Sequence, residues 1–143
     1  IAPFSDWLIW QALITPKLEL YETKVTKLSE GVYLIRMVVH NTGWLPTQVS
    51  AKAVEKKAVR GVIFEIKLPV GLTLTSGKLR EEVGQLAGRA LTPSSISPWT
   101  TEANTNDRVK YEWVVSGASS GTEIEVIARH ERAGIVRQTV KLD

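Results

Sequence analysis

Seven or eight short runs of alternating apolar and polar residues predict an all-β chain, an antiparallel two-sheet sandwich of immunoglobulin or fibronectin type. Clusters of Gly, Ser, Asn and Pro separate the runs, as tight turns require. Only two segments break the pattern, a short helix at the N-terminus and another after the second strand. The 143 residues fit one domain, and at this length folding buries roughly 70% of the unfolded chain's surface. The expected division is a connector helix over 1–16 and the sandwich over 17–143.

Residues 4–14 read as the first helix, with Ser5 or Asp6 as its cap and Pro16 beyond its end. Phe4, Trp7, Leu8, Ile9, Trp10, Leu13 and Ile14 point all round the cylinder, leaving too little polar surface for an ordinary surface helix. Two readings follow. The helix lies in a groove of its own domain, or one side of it docks on a neighbour.

Residues 18–28 form a strand whose apolar parity changes midway, which predicts a bulge. Residues 32–40 place Tyr33, Ile35, Met37 and Val39 on one face and Val32, Leu34 and Val38 on the other, so this strand should be central and covered on both sides. Thr47–Lys57 reads as the second helix, capped by Thr47 after Pro46. Residues 62–68 alternate with Val62, Phe64, Ile66 and Leu68 inward. A short strand follows around Leu72–Leu74, and an imperfect one over 79–87 is broken at Gly84. Residues 92–107 form a polar loop. Strands over 109–115, 122–130 and 135–142 follow, with Trp113 inward, and their short links predict an antiparallel meander.

Composition removes several kinds of chemistry. Without cysteine there is no disulfide, thiolate metal site or cysteine nucleophile. Lys plus Arg is 18 against 15 Asp plus Glu, a net charge of +3 spread along the chain, so no nucleic-acid arm is present. The apolar run around Trp7–Trp10 is far shorter than the roughly 20 residues of a membrane helix and has no charged leader, so it is not a signal peptide. A chain beginning at Ile1 reads as a fragment or a processed product.

His40 and His130 are far apart and neither starts a metal-ligand motif; both read as strand-end polar groups. Glu81 and Glu82 are adjacent and face opposite ways on a strand. Glu123 and Glu125 share the outward face, where cross-strand cations pair with them. Gly117 and Gly121 bracket a hairpin loop rather than a phosphate cradle, because no helix follows. No catalytic, cofactor or metal-binding residue is expected. Five tryptophans leave a binding face open: Trp44 and Trp99 lie in turns or loops, where they either cap the end of the sandwich or stack on a ligand.

Three stretches, GVYLIRMVVHNTGWLPT (31–47), GKLREEVGQLAGRA (77–90) and ARHERAGIVRQTVKL (128–142), resemble in order and spacing the β-sandwich domain that follows the catalytic domain in some bacterial zinc carboxypeptidases of the carboxypeptidase A-like class. The residues that carry the resemblance are Asn41, Gly43, Leu45, Pro46 and Thr47; Gly84, Gln85, Leu86, Gly88 and Arg89; and Ala133 with Gly134. It covers 17–142. It implies a non-catalytic accessory domain, with zinc held only by an upstream catalytic domain of the same polypeptide. That domain would be the partner, and Phe4, Trp7, Trp10 and Ile14 would form the interface with it. Physically, Gly43 would let the chain turn tightly after the central strand, Gly84 and Gly88 would permit a bulge and a close backbone approach, and Arg89 would fork onto a carboxylate or backbone carbonyls. The alternative function is an independent carbohydrate- or protein-binding module, taking a peptide or cell-envelope glycan at Trp44, Trp99 and Arg89.

Overall fold

The computed structural model describes residues 2–48, 50–91 and 106–143. One sheet contains β1 (Leu18–Ser29), β2 (Val32–Asn41), β4 (Thr73–Ser76) and β6 (Arg108–Ser116), in the order β1-β2-β6-β4. The other contains β3 (Ile63–Lys67), β5 (Arg80–Glu82), β7 (Thr122–His130) and β8 (Gly134–Leu142), in the order β5-β3-β7-β8. Every pairing is antiparallel. The all-β sandwich read from the alternation is the observed fold.

Alternation places the core. Tyr33, Ile35, Met37 and Val39 of β2 and Trp113 and Val115 of β6 are buried against Phe64 and Ile66 of β3, Ile124, Val126 and Ala128 of β7, and Val140 and Leu142 of β8. Each of these side chains is worth roughly 1.5–3 kcal/mol of transfer when its size is that of Val or larger, which is why the two layers stay together without a covalent staple. Trp113 also satisfies its one polar atom, since its Nε1 donates to the Lys78 carbonyl at 3.0 Å. Strand β2 is central, paired with β1 on one side and β6 on the other; on its outer face Val38 is buried while Val32 and Leu34 are half-buried. The parity change in β1 is a bulge between Leu20 and Glu22. It turns Tyr21 outward onto His40, edge-on at 5.4 Å, beneath the Arg108 guanidinium at 4.7 Å.

Four expectations need correction. The last three strands are not a meander: β6 belongs to one sheet and β7 to the other. Both edges of β6 are already taken, by β2 and by β4, so the chain leaving Ser116 must cross between layers. The Gly117–Gly121 link is therefore an inter-sheet corner rather than a hairpin loop. The strand expected over 79–87 survives only as Arg80–Glu82. Beyond it Val83 N donates to the Val62 carbonyl and Val62 N to the Gly84 carbonyl, an irregular continuation, and the pairing ends where Leu86 N turns to the Thr47 hydroxyl. The second helix, α2, spans Ala51–Glu55 and is capped by Ser50, whose hydroxyl accepts from Ala53 N; Thr47 is not its cap. The first helix, α1, spans Ala2–Leu13, so Ser5 and Asp6 lie within it and do not cap it.

Candidate functional site

Most residues of the first two motifs converge at one end of the sandwich, around Asn41, while Ala133 and Gly134 lie at the β7–β8 turn. Its side chain is almost fully buried and makes four hydrogen bonds. Oδ1 accepts from Lys17 N at 2.9 Å and from Gly43 N at 3.0 Å; Nδ2 donates to the Leu45 carbonyl at 2.8 Å and the Ala87 carbonyl at 3.1 Å. One amide thus ties the end of β2 to the α1 exit, to the turn that follows and to the 84–89 stretch. All its donors and acceptors are used, as a buried amide requires.

Thr47 extends the same joint. Its hydroxyl accepts from Leu86 N at 2.8 Å and bonds Gln85 Oε1 at 2.7 Å, and its backbone N donates to the Leu86 carbonyl at 2.9 Å. Gln85 reaches on to the Val59 and Arg60 carbonyls through Nε2. Two glycines let the backbones meet here. A Cβ on Gly43 would collide with the Thr15 carbonyl and Pro16, and one on Gly88 with the Trp44 and Leu45 backbones. Gly43 does not have a positive φ, so close approach, not the tight turn expected of it, requires glycine at that position.

Helix α1 leaves from this joint. Its end is pinned where Leu45 N donates to the Ile14 carbonyl at 3.0 Å and Thr42 N to the Lys17 carbonyl at 2.8 Å. Before that point nothing among the described residues of the sandwich covers it. Phe4, Trp7, Leu8, Ile9, Trp10 and Leu13 are each 54–72% exposed, and Ile14 is half-buried. Of the two readings of this helix, the groove in its own domain is excluded for the described residues. The helix is 12 residues, about 18 Å, and no described helix is long and apolar enough to cross a membrane.

The second candidate face is smaller. Trp44 is 54% exposed and Arg89, in a 3-10 turn at Arg89–Leu91, is also exposed. Backbone bonds from Arg89 N to the Gly43 carbonyl and from Ala90 N to the Trp44 carbonyl bring the two together. Among the described residues the Arg89 side chain forks onto no carboxylate. Trp99 lies outside the described residues.

Among the described residues no three His, Cys, Asp or Glu side chains group as metal ligands. Glu81 pairs with Lys78 at 2.7 Å, and Glu82 accepts from Gly61 N at 2.6 Å. Glu125 pairs across the strands with Lys67 at 2.6 Å. His40 is the half-buried partner of Tyr21. His130 is buried, and its Nδ1 accepts from Arg132 N at 3.1 Å and Ala133 N at 3.2 Å. It is a strand-end group, as its position suggests, and as a neutral ring it also caps the β7–β8 turn.

Burial pushes the His130 pKa below its ordinary value, and the Arg60 carbonyl and Glu131 charge only partly oppose this. The unfolded chain therefore takes up the proton first as pH falls. Stability should be intact above about pH 6.5, the unfolded histidine value, and decline as pH falls from there toward the lower folded pKa. His130→Asn keeps an acceptor for the turn but does not titrate. Urea midpoints at pH 7 and pH 5 should differ less in this variant than in the parent chain; equal differences would remove the assignment.

A family model described as a domain of unknown function, DUF8731, matches residues 17–141. No curated protein matches the chain. Among solved structures, the chain is similar to the GAE domain of GGA2p from Saccharomyces cerevisiae, with 11% identity, a TM-score of 0.45 and coverage of 87% of this chain and 86% of that one.

Proposed function

This chain belongs to the DUF8731 family, and we propose that it is a non-catalytic protein-docking module which presents α1 to a folded partner. The observation that carries this reading is the helix itself. A helix apolar all round is stable in water only when something surrounds it, and six of its side chains from Phe4 to Leu13 are left more than half exposed. Leu8, Ile9 and Leu13 carry no hydrogen-bonding group. A glycan, which is recognised through hydroxyls and ring stacking, would leave them in water, whereas a protein interior covers them. Interfaces of this kind concentrate aromatic side chains, here Phe4, Trp7 and Trp10. The Asn41 joint fixes where the helix leaves the sandwich, so a docked partner would hold the module at a set angle.

The narrower reading makes the partner a zinc carboxypeptidase-like catalytic domain of the same polypeptide, with α1 as the connector. Its support is the motif resemblance alone, and no residue of this chain would touch the zinc.

The test compares this chain with the complete product of its gene, the full-length protein, which the narrower reading expects to extend beyond it. The double variant Trp7→Ser/Trp10→Ser should leave the urea stability of the isolated sandwich within about 0.5 kcal/mol of the parent, as for surface substitutions. In the full-length protein both indoles should be shielded from acrylamide, and the variant should make the joint more susceptible to proteolysis. A loss of about 2 kcal/mol or more from the isolated sandwich, a core-sized effect, or indoles that remain open to quencher in the full-length protein, would remove the docking role.

A further inference from the structure

The outer face of the second sheet holds a cleft that reaches Glu131 and the buried His130 at the β7–β8 turn. Ile63, Arg129 and Ile135 lie side by side in register on β3, β7 and β8, and Arg80 stands opposite Glu65 on β5. With Arg60 they line an open hollow of about 470 Å³. Ile63 is buried in its floor, and Ile135, 57% exposed, forms a wall.

The cleft has more donors than acceptors. Arg129 Nη2 and Arg80 Nε both converge on a single carboxylate oxygen, Glu65 Oε1, at 2.7 and 3.3 Å. Arg129 Nε is buried with no acceptor among the described residues. The Arg60 side chain has no ion-pair partner among them either. Among the described residues Glu131 accepts only from the Arg60 backbone N, at 3.3 Å. Three guanidinium groups against Glu65 and Glu131 leave one positive charge unmatched. Glu82, which accepts from Gly61 N, lies toward the adjoining hollow that Arg60 shares, and there Lys57 offsets its charge.

We propose that this cleft binds a single carboxylate borne on a small aliphatic group. Planar guanidinium groups match a carboxylate in a two-pronged fashion. The surplus of one charge suits a monoanion better than a phosphate dianion, and Ile63 with Ile135 offers the aliphatic part an apolar contact. The ligand can be a free short-chain acid or an acidic side chain beside an aliphatic one in a peptide; both present the same chemistry.

Titration of the ¹⁵N-labelled chain with isovalerate, with a blocked Val-Asp dipeptide, with isovaleramide and with inorganic phosphate tests the proposal. The Arg129 Nε–H signal and the amides of Gly61, Gly134 and Ile135 should shift with isovalerate or the dipeptide, and the tighter binder identifies the source. Isovaleramide should not shift them. Arg60→Gln/Arg80→Gln leaves Glu65 paired with Arg129, so the fold is kept, and it should weaken binding at least tenfold. Three results would overturn the site: no shift with either acid, phosphate binding as tightly as the carboxylates, or unchanged affinity in the double variant.

Discussion

Asn41→Ala is expected to cost the sandwich about 3 kcal/mol, because it strands buried groups rather than merely removing contacts. The four partners of its amide are Lys17 N, Gly43 N, the Leu45 carbonyl and the Ala87 carbonyl. A net hydrogen bond contributes about 1 kcal/mol, but a buried donor or acceptor left alone loses about 1–3 kcal/mol. Water entering the new space would recover part of this, which sets the total near 3 rather than higher. For a domain of this size the change should lower the melting temperature by roughly 10 °C. Asn41→Asp is the sharper probe. It keeps the acceptor for Lys17 N and Gly43 N but points a second oxygen at two carbonyls. Near neutral pH it should be about as damaging as alanine. The repelled carboxylate should have a raised pKa in the folded chain, so its stability should recover relative to Asn41→Ala as pH falls and the acid gains a proton to donate. Urea unfolding of both variants at pH 7 and pH 4.5 checks this. An alanine variant within about 1 kcal/mol of the parent, the worth of a single net hydrogen bond, would mean the four bonds do not hold the joint.

Why this joint was only half legible in the sequence follows from distance along the chain. Strand identity is local: the two-residue alternation of 32–40, 62–68, 109–115, 122–130 and 135–142 marks β2, β3, β6, β7 and β8 wherever their partners lie. Sheet membership is not local. The Gly117–Gly121 link is short enough for a hairpin, and only the pairing of Thr73 with Ser116 fills the edge that a hairpin would need. The same holds for Asn41 and Thr47. Both stand out as motif residues, yet their partners lie near Ala87 and Leu86, a full circuit of the fold away. Thr47 after Pro46 has the local signature of a helix cap, and so does Ser50; the long-range bond to Leu86 decides between them. His130 showed no sign of burial, although a histidine followed by Glu-Arg-Ala-Gly could have been read as an acceptor for the turn's own N–H groups. The apolar girdle of α1 was plain from its residues, but its exposure depends on where the sandwich ends.

Gly88→Ala should be comparably costly, about 3 kcal/mol, for a steric reason. A methyl group at Gly88 would overlap the Trp44 carbonyl oxygen and the Leu45 carbonyl carbon, and all of these are backbone atoms that cannot swing aside like a side-chain tip. Moving them apart disturbs three bonds at once: Arg89 N to the Gly43 carbonyl, Ala90 N to the Trp44 carbonyl, and Asn41 Nδ2 to the Ala87 carbonyl. Overpacking of a well-filled site costs roughly 1–3 kcal/mol, and the lost bonds place this case at the upper end. Gly84→Ala is the comparison. Gly84 has φ of +105° with open space where a Cβ would lie, so alanine there meets no obstacle and costs backbone strain alone, on the order of 1–3 kcal/mol. Urea unfolding should rank Gly88→Ala below Gly84→Ala in stability. Because the Trp44 turn also holds Leu45 N against the Ile14 carbonyl, Gly88→Ala should loosen the root of α1 as well, seen as faster amide exchange at Leu45. If Gly88→Ala costs less than about 1 kcal/mol, or Leu45 exchange is unaffected, the two backbones are not held in contact and the helix is not fixed to the sandwich through them.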